Sequence, residues 1–320
     1  MKLYAKESAV SLIRSMIRRD RLSHAYIICG EKGVGKKTLG RYMAAQILCE
    51  KGDGDPCGVC KSCRMLKNDA HPDFITIEPS GKSGNYRADD LRAIISEASI
   101  APNEGEKKIY FLPRFDKALP TAQNALLKIV EEPPAHVLFI MTAESREMIL
   151  PTILSRTISL SISEAEVAEC LEALTDAGIQ KDDAWKAVDM FGGNIGKCIE
   201  YVRDNDAKRL PESVKEAISA LVNGDEYELL RSLCSLEKDR ALCVEVLSDV
   251  KKVLRDALAH KFGGNLSSLC REDAKALSKK LRQSTIERMY DDITLAENKI
   301  NGNASAVLVL SDLCGRLSIN

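Results

Sequence analysis

Aromatic residues make up only 5% of this 320-residue sequence, too few for a platform on which successive bases of a single strand could stack. Bulk charge is missing as well: 46 basic and 47 acidic residues leave a formal net charge of -1. Any attraction to nucleic acid must therefore come from a local patch or from partner chains. No apolar run approaches the roughly 20 residues that cross a bilayer. The opening Met1-Lys2-Leu3-Tyr4-Ala5-Lys6-Glu7 has no secretory apolar segment, so the expected location is the cytoplasm. In that compartment the 11 cysteines read as a metal cluster plus buried thiols, not as disulfides.

What is present suits a folded chain of two or three domains. Hydrophobic residues are 45% and charged residues 29%, enough to bury sizeable cores. Five short apolar runs punctuate the N-terminal half, at 25–29, 73–77, 108–112, 137–141 and 157–161. They are rich in Ile, Val, Phe and Tyr, and most are too continuous to be half-exposed, which predicts buried strands. Helical patterns lie between them, notably Thr38 to Leu48 and Thr121 to Glu131. The alternation predicts an α/β domain with a parallel sheet covered by helices.

Strand signals stop near Ser163. Ser163-Glu164-Ala165-Glu166 has the spacing of a capped helix start. A small helical unit then runs to about Val202, punctuated by Gly192-Gly193-Asn194. Asp204-Asn205-Asp206 and Pro211 predict a second boundary. The remainder reads as helical, most clearly from Arg240 to about Lys261, where Gly263-Gly264-Asn265 stops it. The expected division is 1–162, 163–206 and 207–320.

Gly30-Glu31-Lys32-Gly33-Val34-Gly35-Lys36 follows a predicted strand and precedes a predicted helix. It matches the first seven positions of a phosphate-binding loop, whose glycines let the backbone wrap a phosphate and whose lysine pairs with it. The eighth position calls for Ser or Thr, the hydroxyl ligand of Mg²⁺. Lys37 stands there, with Thr38 one place too late, and an ammonium repels a dication. The partner acids belong at the end of a later strand. After Lys108 to Leu112 come Pro113-Arg114-Phe115-Asp116, with proline and arginine where carboxylates are needed. Both metal-handling positions are lost independently. Mg-assisted hydrolysis is not expected, and phosphate binding through Gly33, Gly35 and Lys36 is expected to be weak at most.

Cys49, Cys57, Cys60 and Cys63 are spaced C-x7-C-x2-C-x2-C among Pro56, Gly58 and polar residues. Four thiolates so placed can close a tetrahedron around Zn²⁺, with an iron–sulfur cluster as the alternative. No ligand position is left open, so the site reads as structural. Cys170, Cys198, Cys234 and Cys243 sit singly on apolar helix faces and read as core. His24 and His71 have no nucleophile or carboxylate pattern around them and read as packing residues. Glu131-Glu132-Pro133-Pro134 reads as a helix end.

Together these features resemble the bacterial clamp-loader family of AAA+ proteins. The resemblance rests on Ser23-His24-Ala25-Tyr26 before the loop and on the four-cysteine insertion after the first helix. It continues through His71-Pro72-Asp73, Asn124-Ala125-Leu126-Leu127-Lys128, Glu131-Glu132-Pro133-Pro134 and Ile153-Leu154-Ser155-Arg156. It is close over roughly residues 5–200. It implies an AAA+ domain, a small helical lid and an all-α collar. Lys37, Pro113 and Arg114 depart from the ATPase (gamma/tau) type and match the non-hydrolysing delta-prime type. The resemblance further implies gamma/tau and delta subunits of DNA polymerase III as partners, with the sliding clamp and primer-template DNA. It also makes Ser155-Arg156 an arginine-finger motif that reaches a neighbour's ATP. The rivals are an active ATPase of the same family and a zinc-dependent DNA-binding module.

Overall fold

The computed structural model describes residues 3–80, 85–204, 206–264, 266, 268–302 and 304–317. Asn205 and Asn265, named above as boundary residues, lie outside them. The chain divides into two compact units, Met1–Glu169 and Cys170–Asn320.

The first unit runs α1 (Glu7–Arg18), β1 (Ala25–Cys29), α2 (Lys36–Leu48), α3 (Lys61–Lys67), β2 (Phe74–Thr76), α4 (Ala88–Ala98), β3 (Lys108–Leu112), α5 (Pro120–Glu131), β4 (Val137–Ala143), α6 (Pro151–Leu154) and β5 (Ile158–Ser161). The strands form one sheet in the order β2-β3-β4-β1-β5, and every pairing is parallel. Successive side chains of a strand point to opposite faces, and here both faces are covered. Ile27, Tyr110 and Phe139 pack with Leu91, Ile94, Leu126 and Val130 of α4 and α5. Tyr26, Ile28, Phe111 and Ile140 pack with Ile13, Leu39 and Met43 of α1 and α2. β1, β3 and β4, buried along their whole length, are therefore continuous runs with no alternation, whereas β5, partly exposed, alternates as Ile-Ser-Leu-Ser. Gly40 lets α2 lie against the sheet, since a Cβ there would stand 2.6 Å from Cε2 of the Phe111 ring.

The second unit contains helices and turns and no strand among its described residues. α7 (Val167–Asp176) leads into it from the first unit. α8 (Lys181–Phe191), α9 (Ile195–Arg203), α10 (Asp206–Asn223), α11 (Glu226–Cys234), α12 (Arg240–Lys261), α13 (Arg271–Lys280), α14 (Gln283–Asn301) and α15 (Ala306–Leu317) follow. Val246, Leu247, Val250, Val253 and Leu254 of α12 lie at the centre of its core, against Ile286, Met289 and Ile293 of α14. Gly192, at φ 60°, ends α8, and the Asn194 side chain caps α9 by accepting the Lys197 N–H at 3.1 Å.

Two sequence expectations fail locally. The helix expected from Ser163 begins at Val167. The capping acid is Glu169, which accepts the Glu166 backbone N–H at 3.2 Å, so the box-like spacing is shifted by three residues. Pro211 lies inside α10, not at a boundary. Proline costs that helix a backbone donor, but Val214, Ala217, Ile218 and Leu221 of the same helix are buried in the core. Tertiary packing outweighs the local preference.

Candidate functional site

The candidate residues fall in three places on the first unit. The loop after β1 is built by glycine. A Cβ on Gly30 would lie 2.4 Å from the Ile162 carbonyl oxygen. Gly33 and Gly35 take φ 92° and 93°, a region costly to side-chain-bearing residues. Gly35 thereby turns the chain directly into α2. Lys36 does not reach into open space. Its Nζ donates to the Gly30 carbonyl at 2.6 Å and to the Glu31 carbonyl at 2.7 Å, and the residue is 8% exposed. Burial lowers the ammonium's pKa, against the opposing pull of Glu144 and Asp116.

The two positions that fail the metal rule are tied to one carboxylate. Lys37 Nζ donates to Glu78 Oε1 at 2.8 Å, and the Arg114 guanidinium lies 3.7 Å from Glu78 Oε2. Thr38 is exposed on α2. Beyond β3, Arg114 adopts a left-handed conformation at φ 57°, and its N–H donates to Thr142 Oγ1 at 2.9 Å. This turn places Asp116 in a short 3-10 segment, buried, with Oδ1 lacking a protein partner. Two cations thus flank a carboxylate where a metal-dependent loop places oxygen ligands around a cation.

The four-thiol cluster sits at the other end of α2. That helix has 13 residues, and at ~1.5 Å per residue the cluster lies about 20 Å from the loop. Cys49 follows α2 directly and Cys63 lies within α3. The Sγ atoms of Cys49, Cys57, Cys60 and Cys63 lie within 4.8 Å of one another. A tetrahedron with ~2.3 Å metal–sulfur bonds has edges of about 3.8 Å, so the set fits Zn²⁺. Backbone N–H groups of Cys57, Cys60 and Cys63 approach the sulfurs of Cys49, Cys57 and Cys60 at 3.3–3.4 Å. N–H groups of Val59 and Cys60 lower the Cys57 thiol to about 6, while burial pushes Cys63 up to about 12. The module is fastened to the helices beneath it. Buried Gln46 donates to the Gly54 carbonyl at 2.7 Å, and Arg14 pairs with Asp55 at 2.7 Å.

Arg156 occupies the third place, in the turn between α6 and β5. Its guanidinium donates to the Thr152 carbonyl at 2.8 Å and Ser155 Oγ at 3.1 Å, and lies 2.9 Å from Glu131 Oε1. The sheet register pairs Tyr26 with Ile158 and Cys29 with Ser161. Gly30 therefore follows the C-terminal end of β1, while Arg156 precedes the N-terminal end of the adjacent, parallel β5. About six residues of strand, at ~3.3 Å each, put roughly 20 Å between them along the sheet. The chain's own loop and its arginine do not form one site.

Glu78 and Glu131 were not singled out by sequence as partners of these cations. Glu131 belonged to a motif read as a helix end and as part of the family resemblance, and Glu78 carries no local signal. Of the two histidines, His71 Nδ1 accepts the Asp73 N–H at 3.1 Å, while Nε2 of both His24 and His71 is buried without a protein partner.

A parallel sheet carrying a phosphate-type loop, a four-thiol insertion after the first loop helix and an arginine ahead of the last strand define a P-loop α/β domain of the AAA+ clamp-loader kind. The family model described as DNA polymerase III, delta subunit, matches residues 5–166, and the chain belongs to that family. DNA polymerase III subunit delta' of Bacillus subtilis (strain 168) is 28% identical over 197 residues, covering 62% of this chain and 59% of that one. Subunit delta' of Pseudomonas aeruginosa is 32% identical over 160 residues, covering 50% and 49%. Subunit gamma/tau of Mycobacterium tuberculosis (strain H37Rv) is 37% identical over 157 residues, covering 49% and 27%. Each match thus spans less than two thirds of the relative's own length. Among solved structures, a gamma subunit-related protein of Thermotoga maritima aligns over 97% of this chain and 98% of that one, with TM-score 0.47 and 17% identity.

Proposed function

We propose that this chain is a non-hydrolysing, delta-prime-type subunit of the complex that loads a sliding clamp onto primed DNA, and that it lends Arg156 to the ATP site of a neighbouring ATPase subunit. The observation that carries this reading is the roughly 20 Å between Arg156 and the chain's own loop. At that distance Arg156 does not act on a phosphate in its own loop, and in this reading it serves one held by another chain. There it stabilises charge on the transferring phosphoryl group, with Ser155 helping to seat it. The loop of Gly30, Gly33, Gly35, Lys36, Lys37 and Thr38 is degenerate. A phosphate entering it must first draw the Lys36 ammonium off the Gly30 and Glu31 carbonyls, and Mg²⁺ meets Lys37 in place of a hydroxyl.

Gamma/tau and delta subunits are the proposed partners, with clamp and primer-template DNA contacted within the assembled cytoplasmic complex. Residues 163–206 serve as a lid and 207–320 as an oligomerising collar. The four cysteines hold a structural Zn²⁺, far enough from the loop to take no part in phosphate chemistry. The test is reconstitution with the ATPase subunits of the same organism, followed by ATP hydrolysis with and without this chain. The lone chain is expected to be inert, and the complex is expected to need it for full DNA- and clamp-stimulated turnover. Robust hydrolysis by the lone chain that disappears in Lys36→Ala would restore the active-ATPase reading. Salt-dependent DNA binding by the lone chain would favour the DNA-binding module.

A further inference from the structure

We infer that Glu131 is a positioning residue for Arg156, acting on the neighbour's nucleotide only through that guanidinium; the inference rests on the arginine-finger reading above. A guanidinium carries five N–H groups. Two contacts of Arg156, to the Thr152 carbonyl and Ser155 Oγ, lie within its own turn and both engage Nη1. Among the described residues the contact from a different element is the ion pair with Glu131, whose Oε1 lies 2.9 Å from Nη2. Nη1 is thus held locally and Nη2 is held from α5. Among the described residues Nε has no hydrogen-bond partner, so the edge formed by Nε and Nη2 remains to donate to an incoming phosphate. A planar fork fixed along one edge and open along another suits bidentate phosphate recognition.

The residue type at position 131 supports the same conclusion. Glu131 is the last residue of α5, where the helix dipole disfavours negative charge. Pro133 and Pro134 follow, so the helix cannot continue and the carboxylate stays at that end. A glutamate there gains its favourable partner from Arg156. The pair adds little to stability, because both side chains are 39% exposed. Its consequence is the orientation of the arginine.

The experiment uses the reconstituted complex with Glu131→Ala, Glu131→Gln, Arg156→Ala and the Glu131→Ala/Arg156→Ala double variant in this chain, reading kcat and KM for ATP. Glu131→Ala is expected to lower kcat about two- to fivefold, the range set by exposed ion pairs, with a smaller change in KM. Glu131→Gln should fall between, since the amide keeps a polar oxygen near Nη2 without the charge. In the Arg156→Ala background, removing Glu131 should have no further effect. Thermal melts of each purified variant confirm that it folds. An unchanged or raised kcat in folded Glu131→Ala overturns the inference, as does an equal loss with and without Arg156. If Arg156→Ala is itself silent, the finger reading fails and this inference falls with it. If Arg156→Ala lowers turnover and Glu131→Ala does not, only the role of Glu131 is lost.

Discussion

Replacing Asp73 should unfold the support beneath the sheet's edge. This carboxylate is 0% exposed. Its Oδ1 accepts the Asn103 N–H at 2.6 Å and the Asn103 side-chain amide at 3.2 Å. Its Oδ2 accepts N–H groups of Glu104 at 2.8 Å and Gly105 at 3.3 Å. The carboxylate thereby clamps the 103–105 turn onto the start of β2. Burial pushes its pKa up, but the backbone donors of Asn103, Glu104 and Gly105 outweigh that and leave it below its ordinary value. In Asp73→Ala, three backbone donors lose their acceptor, and each buried unpaired group costs about 1–3 kcal/mol. Part is recovered if the turn opens to water, so a loss of about 3–5 kcal/mol is expected. In Asp73→Asn, one oxygen becomes a donor facing donors, for about 2–4 kcal/mol. The folded pKa lies below the unfolded value of about 3.9. The stabilisation is therefore complete above about pH 4 and is lost as pH falls through the folded pKa. Urea unfolding of the full chain, followed by circular dichroism from pH 7 downward, measures both the size and the pH course. A difference under about 0.5 kcal/mol at pH 7, or one that does not narrow on acidification below about pH 4, would refute the reasoning.

Purified reduced protein should carry about one Zn²⁺ per chain by metal analysis, and Cys60→Ser should release it and lower the melting temperature of the first unit. Gly40→Ala should destabilise that unit by about 1–3 kcal/mol despite alanine's better helix propensity. The added methyl would stand 2.6 Å from a Phe111 ring that is 2% exposed, and a neutral result in urea unfolding would show that the ring yields. Arg156→Lys in the assembled complex should restore little of the turnover lost in Arg156→Ala, because an ammonium lacks the planar fork; full rescue would reduce the arginine to a point charge.

How much of this was legible in the sequence depends on the range of the interaction. The five strands were readable to within two residues at any end: β1, β3 and β4 because burial on both faces writes itself as an unbroken apolar run, the partly exposed β2 and β5 from shorter apolar patterns. The span of α12 was readable from helical spacing, since Cys243, Val246, Leu247, Val250, Val253 and Leu254 recur every three or four residues and face one core. The loop glycines and four cysteines were readable because their chemistry requires fixed local spacing. The start of α7 was misplaced because two Ser/Glu-x-x-Glu registers overlap, and local spacing does not choose between them. Pro211 was misread because propensity ignores what the helix buries. The order β2-β3-β4-β1-β5 has no local signature, since pairing in a parallel sheet is decided by crossovers and not by neighbours in sequence.

That unreadable order is what the functional argument needed. In the sequence, Arg156 is an arginine at the start of an apolar run, and salt-bridging to a nearby carboxylate explains it well enough. The structure does supply such a bridge, to Glu131, so the contact by itself does not separate a structural arginine from one aimed at a phosphate. The register of β1 against β5 adds that the arginine lies at the other end of the sheet from the chain's own loop. In parallel strands, a residue following one and a residue preceding the next lie at opposite ends, whatever their side chains. The loop that has lost its metal ligands and the arginine that remains therefore cannot serve each other. Under the proposed function Arg156 acts at a site held by a neighbouring subunit, and the Arg156→Ala complex, read as ATP turnover, decides between that role and the bridge to Glu131 alone.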